Sequence, residues 1–458
     1  MKKTLEYFEE IMKVPRESGK EEKIAEYLVN YAKEKNIEYS LGKYNTVFLR
    51  KNNNSNKTII LQAHSDMVCV SNDEYNFENK GIPFYKEGDY YKSKNTSLGA
   101  DDGIGIAIIL ELLQEDENMP NIEVMITTQE ETTMLGASNF DYSLLNGKTL
   151  ISLDGIKEGD IESSSAGMCS ITINKEMLTE ESNDIKYKMN ISGLMGGHSG
   201  DDIHKDRCNA IKLGFNIISK LECTGLYYID IGEKDNVIPN NGDIIFSSKF
   251  DLDKINETLK SLTYNLSSDD NNLNLSVVQC NQNLRRISNY NEIINFINEL
   301  DDGLIETFKE DDFPLLSSNI GKINIADNRI IIKMSVRSSD EHKEKKQLDK
   351  IEELCNKYNL KFNLDVKKPF FPYKEKSAIR EILANTYKEL YNRETTVKKV
   401  HACMEGGIIS SNIDNLDICT IAPTIDNCHS INERVSISST IRVYNWLKET
   451  LARYNKNY

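Results

Sequence analysis

The strongest constraint on this chain is a set of short islands rich in histidine and carboxylate: His64 and Asp66, Asp101 and Asp102, Glu130 and Glu131, Asp154, and His429. Each closes an apolar run that reads as a buried strand, or opens one that reads as a helix. Desolvating an unpaired charge costs several kcal/mol unless a cation or a donor compensates. A fold that gathers these islands therefore needs a compensating group, and a metal centre is the simplest one.

At 458 residues the chain is too long for one ordinary core, so two domains are expected. With 39% hydrophobic and 28% charged residues there is enough apolar matter for globular cores under a solvated surface. The formal charge of -16 disfavours nucleic acid and anionic membranes as partners and leaves small zwitterionic or cationic ligands compatible. The opening MKKTLEYFEE lacks the apolar segment of roughly 7 to 15 residues that a secretory signal carries. The longest apolar stretch, Ile104 to Leu110, is far short of the roughly 20 residues of a membrane span. Nine cysteines, an odd number without a CxxC pair, fit reduced thiols. A cytoplasmic protein is expected. Cys428, beside His429, is a soft ligand, a nucleophile or, the reading preferred here, a bystander thiol.

An amphipathic helix (Leu5, Phe8, Ile11, Met12) breaks at Pro15, and a second starts at Ser18 with Glu21 completing a capping box. Strands are expected at 58–63, 122–128 and 150–153, with a helix over 104–114 between the first two. This alternation predicts an α/β sheet whose strand ends carry His64, Glu130, Glu131 and Asp154. From about Met168 to Phe371 the acidic pairs vanish from the strand ends. Two successive α+β sets follow, the first including a helix over Ile255–Tyr264 and the second ending in a strand over 360–366, which predicts a doubled unit inserted into the first domain. A helix over Ala378–Tyr391 then returns to that domain. The expected division is 1–168, 169–372 and 373–458.

Taken singly, each island has two readings. Asp66, two positions from His64 on one strand face, can accept the second ring N–H and fix the tautomer of a metal-binding histidine. Alternatively, His64 is a satisfied strand-end residue. Asp101 and Asp102, among Gly99, Gly103 and Gly105, suit a crowded site or simply cap a helix. In Glu130-Glu131 adjacent side chains diverge, so one can bind metal while the other serves as general base, unless both belong to a solvated turn. Asp154, before Gly155, is a ligand or a turn aspartate. His429 lies in a loop too polar to need a core histidine.

In order and spacing the segments LQAHSDMV (61–68), LGADDGIG (98–105), TTQEETTMLGA (127–137), LISLDGIKEG (150–159), GLMGGHSGDDIH (193–204), HACMEGG (401–407) and APTIDNCHSINERV (422–435) resemble the di-zinc exopeptidase family of aminoacylases, carboxypeptidase G and dipeptidases. They are most similar to its aminoacyl-histidine dipeptidase branch, over almost the entire chain. The resemblance implies a two-domain α/β metallopeptidase with an inserted α+β lid. It implies two divalent ions per chain, zinc first and manganese or cobalt as options. Asp101 would bridge them, with His64 and Asp154 on one and Glu131 and His429 on the other. Asp66 would orient His64, Glu130 would be the general base, and His198 would stabilise the oxyanion from the lid. Arg337 would grip the substrate carboxylate, and Asn240, His401, Glu405, Gly406 and Gly407 would shape the substrate pocket.

The implied reaction is hydrolysis of dipeptides with a free amino terminus, including Xaa-His substrates such as carnosine, by a monomer or homodimer. A tripeptidase, an N-acyl amino acid deacylase and a silent peptide-binding relative are the alternatives. Ala63, Ser65, Asn427 and Cys428 depart from the branch's usual surroundings; they bear on substrate preference and remove no ligand.

Overall fold

The computed structural model describes residues 3–262 and 266–457. By its internal contacts the chain divides into two compact units. The first comprises Met1–Ser164, Phe371–Lys399 and Glu405–Tyr458, and the second Ser165–Phe370 with Val400–Met404. The sequence-based boundaries fell at 168 and 372 and kept 373–458 together, whereas residues 400–404 group with the second unit. There Ala166 N–H donates to Val400 O, and the His401 ring meets Ser317 Oγ. No helix among the described residues is long and apolar enough to cross a membrane, and all nine cysteines are free thiols.

The first unit is built on an eight-stranded sheet in the order Glu38–Leu41, Val47–Lys51, Asn121–Thr127, Thr58–His64, Thr149–Ser152, Asp417–Thr420, Asp160–Ser165, Thr396–Val400. Its middle strands run parallel. Parallel strands are covered on both faces and so read as largely apolar runs; Ile59 to His64 are all buried, with Gln62 the one polar residue before His64. Helix Ala100–Leu112 is buried on every side except at Glu111, which explains why its sequence shows no polar stripe. A small sheet of Phe84–Glu87, Tyr90–Ser93, Ile425–Asp426 and Arg434–Ser436 holds both ends of the segment that carries His429.

The expected capping box does not form. The second helix, Glu22–Glu34, starts from Glu21 without a side-chain cap. Ser18 Oγ instead donates to Asp66 Oδ2 at 2.7 Å, and Glu21 Oε1 accepts from the N–H groups of Gly19 and Gln129. These side chains serve the strand ends rather than the helix, a tertiary choice that the local pattern cannot reveal.

In the second unit the two expected halves fuse into one sheet. Asn274–Cys280, Lys186–Ser192, Gly242–Ser248 and Cys223–Gly232 form the first half; Pro314–Ala326, Arg329–Ser338, Gly167–Glu176 and Lys361–Lys368 form the second. Antiparallel pairing of Asp230 with Asn324 and Ile231 with Ile323 joins them. Helices Ala210–Lys220, Tyr290–Glu299 and Glu341–Lys357 bury apolar stripes against one core with the sheet. Leu252–Ser261 is helical, and Tyr264, the expected end of that helix, lies outside the described residues.

Candidate metal centre

Strands Thr58–His64 and Asn121–Thr127 run in register with His64 opposite Thr127, and Thr149–Ser152 flanks the first with Ser152 opposite Gln62. Their carboxyl ends deliver His64, Glu130, Glu131 and Asp154 to one end of the sheet, where open α/β sheets bind ligands. Asp101 arrives from the first turn of helix Ala100–Leu112 and His429 from the loop between strands Ile425–Asp426 and Arg434–Ser436 of the small sheet.

His64 Nε2 lies 3.0 Å from Asp101 Oδ1 and 3.5 Å from Asp154 Oδ1. His429 Nε2 lies 2.7 Å from Glu131 Oε1 and 3.3 Å from Asp101 Oδ2. Asp101 thus turns one oxygen to each histidine. Ligand atoms of His64, Glu130 and Asp154 lie within 4.8 Å of one another, as do those of His64, Asp101 and Glu131. These sets share His64 and include Glu130, whereas the sequence-based grouping shared Asp101 and kept Glu130 apart.

The donor set fits divalent cations. The carboxylates of Asp101, Glu130, Glu131 and Asp154 against two imidazoles leave excess negative charge in a buried place. Partial burial opposes charge on His429, whose side chain is 47% exposed, yet Asp101 and Glu131 raise its pKa to about 11. Burial likewise opposes charge on His64, yet Asp154, Asp101 and Asp66 hold it well above the ordinary histidine range. A site that binds protons this firmly attracts positive charge. Moreover, buried His64 Nδ1 and Glu131 Oε1 make no hydrogen bond, although Asp66 Oδ1 is 3.4 Å from the first and His429 Nε2 2.7 Å from the second. The Glu131–His429 pair approaches without hydrogen-bond geometry, as ligand atoms around a common cation do. Nitrogen and oxygen donors suit zinc and admit manganese or cobalt.

Asp66 has a role the sequence did not suggest. Its Oδ1 accepts from Glu130 N–H at 3.0 Å and its Oδ2 from Glu131 N–H at 3.2 Å. Besides lying beside His64, it fixes the backbone of both acids. The aspartate pair divides its labour. Asp102 takes the capping part, with Oδ1 accepting from Gly105 N–H at 3.2 Å and Oδ2 from His64 N–H at 3.3 Å. Asp101 is left for the site. Burial, Asp154 and Glu131 push the Glu130 carboxyl well above its ordinary range against the opposing His64. Burial also raises the Cys428 thiol, with Asp101 and Glu433 adding to the shift, so it is no ready thiolate.

Glu405 is buried in the first unit. Its Oε2 accepts from Gln62 Nε2 at 3.0 Å and Thr127 Oγ1 at 2.5 Å, and burial lifts the carboxyl to about 8. Gly406 is explained by packing, since a Cβ there would come 3.1 Å from Phe371 and 3.3 Å from Ile418. Gly407 is buried in helix Glu405–Asn412.

The remaining candidates belong to the second unit. His198 Nε2 lies 3.4 Å from Arg337 Nη2, and Arg337 Nε donates to Ser199 Oγ at 3.3 Å. Arg337 is buried with Nη1 unpartnered, which suits an anion-binding guanidinium. Asn240 packs against Gly196, where a Cβ would come 3.1 Å from its Nδ2. His401 shares a 2.8 Å hydrogen bond with Ser317 Oγ, and burial together with Arg337 lowers its ring to about 3, so it stays neutral.

The sequence reading passed over Arg16 and Glu433. Both are buried charges attached to the backbone around the site. Glu433 stood in a quoted motif, and an arginine directly after Pro15 gave no signal of its own.

The family model for peptidase family M20/M25/M40 matches residues 60–453. The chain belongs to that family. Over nearly its whole length this M20/M25/M40 peptidase is similar to the cytosol non-specific dipeptidase of Escherichia coli, with 29% identity over 97% of this chain and 96% of that protein. Among solved structures it is similar to the aminoacylhistidine dipeptidase of Vibrio alginolyticus, with a TM-score of 0.83, 25% identity, and coverage of 98% of this chain and 95% of that one. A tripeptidase from Staphylococcus aureus shares the fold at a TM-score of 0.62 and 17% identity, with 98% of each chain covered.

Proposed function

We propose that this peptidase hydrolyses dipeptides with a free amino terminus, Xaa-His dipeptides such as carnosine among them, with the aid of two divalent ions, zinc in the first place. The convergence of His64, Asp101, Glu130, Glu131, Asp154 and His429 at the strand ends carries the reading. The dipeptide class rests on similarity to two nearly full-length relatives named as dipeptidases. Cytoplasmic residence goes with the free thiols and with the name of the Escherichia coli relative.

His64 and Asp154 would hold one ion, Glu131 and His429 the other, and Asp101 both. Bound there, such ions supply Lewis acidity and a water whose pKa falls towards roughly 7. Glu130 would take the proton of the attacking water at its carboxylate and return it to the leaving amine nitrogen. Asp66 keeps Glu130 in place through its backbone N–H. His198 donates to the carbonyl oxygen as charge develops, and Arg337 takes the substrate carboxylate. Asn240, His401, Glu405, Gly406 and Gly407 complete the substrate pocket in this reading.

A panel of dipeptides, tripeptides and N-acyl amino acids tests the substrate class. Dipeptides with a free amine should give the highest kcat/KM, and preference for acylated amino acids or tripeptides would replace this reading with one of its alternatives. Arg337→Ala should lower kcat/KM by about 10- to 100-fold, mainly through KM, since a hydrogen bond to a charged group contributes about 1.5 to 3 kcal/mol. Dipeptide amides, lacking the carboxylate, should lose little. Equal losses on acids and amides would remove Arg337 from carboxylate binding.

A further inference from the structure

Glu433 is buried, with 3% exposure, a short way along the chain from His429. Its carboxylate accepts from consecutive backbone amides: Oε2 from Leu98 at 2.9 Å and Gly99 at 3.0 Å, Oε1 from Ala100 at 2.7 Å and Asp101 at 3.4 Å. Successive N–H groups turned to one side form an anion-binding concavity. Here the anion belongs to the protein. Gly99, with φ of 71°, makes the turn possible. The opposite side of the same turn is held by Arg16, whose Nη2 donates to Gly99 O and whose Nη1 donates to Ser65 O at 3.2 Å and Asp66 O at 3.0 Å. A Cβ at Gly99 would come 2.5 Å from Arg16 Nη2 and one at Gly103 2.7 Å, so these glycines leave room for the guanidinium.

Two segments far apart in sequence are thereby tied together at backbone level. One carries His429 and the other Asp101, whose side chains meet at 3.3 Å. We propose that Glu433 is a positioning residue of the metal centre, fixing the Asp101 backbone relative to the His429 loop so that both side chains reach one ion. The inference rests on the reading of Asp101 and His429 as ligands. Both carboxylate oxygens of Glu433 are taken up by backbone amides. It acts through the amides of residues 98–101, with Arg16 bracing the same turn against the His64–Asp66 strand end. Helix capping alone would need one or two of these amides. A carboxylate spread over four, sent from the segment of another ligand, serves the spacing between ligands.

The test uses the full-length chain stripped of ions, in native form and as Glu433→Gln, which keeps the shape but turns an NH2 group towards N–H donors. Zn2+ is titrated by calorimetry, Co2+ by its absorption spectrum, and thermal unfolding of the ion-free protein is followed in parallel. Glu433→Gln should weaken one ion by about 10- to 100-fold, the range for partners that orient metal ligands, weaken the other less, and alter the Co2+ spectrum. If the variant does not fold, Glu433→Asp is read in the same way, as it keeps the charge but withdraws it from the amides by one methylene. Native-like affinities and spectrum, with only a lowered unfolding temperature, would mean that Glu433 merely stabilises the fold and would overturn the proposal. Failure of the native chain to bind any divalent ion would overturn the metal reading and this inference with it.

Discussion

Glu130→Gln is expected to remove nearly all turnover while leaving the ion content near that of the native chain. The amide preserves shape and keeps an oxygen near His64 and Asp154, and its backbone N–H can still reach Asp66 Oδ1. What it loses is the ability to take a proton from water and pass it to the leaving nitrogen. General acid–base catalysis is worth about 100- to 10,000-fold, so kcat should fall by at least that order. Glu131→Gln should behave differently. Glu131 Oε1 is buried 2.7 Å from His429 Nε2, so the loss should appear first in bound metal and be partly recovered at high ion concentration. Measuring kcat on one dipeptide alongside elemental analysis separates the two residues. A Glu130→Gln enzyme that keeps most of its kcat would move the base elsewhere.

That contrast between neighbouring glutamates was visible in the sequence only as a possibility, because an acidic pair after a strand has the same letters whether it faces a metal or solvent. The parallel strands were legible because burial on both faces leaves a largely apolar signature, as at Ile59–Ala63 and Ile122–Ile126, each broken by a single polar residue, Gln62 and Glu123. Placement of His64, Glu130, Glu131 and Asp154 at their carboxyl ends follows from the α/β pattern. Contacts between distant segments were not legible. Ser18 and Glu21 fit a capping box locally, yet their side chains serve Asp66, Gly19 and Gln129. Nothing near Glu433 in the sequence indicates that its partners are the amides of 98–101. Residues 400–404 leave the unit that surrounds them in sequence because Val400 and His401 bond to Ala166 and Ser317. Apart from Gly19, the partners lie far along the chain, where periodicity carries no information.

Asp101→Ala should cost more metal than loss of any other single acid in the cluster. One oxygen of Asp101 lies 3.0 Å from His64 Nε2 and the other 3.3 Å from His429 Nε2, so its removal withdraws a donor from both halves of the centre. Asp66→Ala withdraws none directly; it loosens the backbone of Glu130 and Glu131 and should reduce metal content less. Without ions the Asp101 carboxylate still has partners: against the cost of burial, His429 and His64 hold it below its ordinary range, so alanine removes favourable contacts there too. The ion-free variant should therefore unfold somewhat below the native temperature, while the increment gained on adding zinc should largely vanish. For a ligand at 100 times its Kd that increment is about 2.7 kcal/mol per site. Thermal unfolding with and without a chelator, together with elemental analysis of both proteins, measures it. If Asp101→Ala retains the native metal content and the native zinc-dependent increment, Asp101 does not link the two halves of the centre.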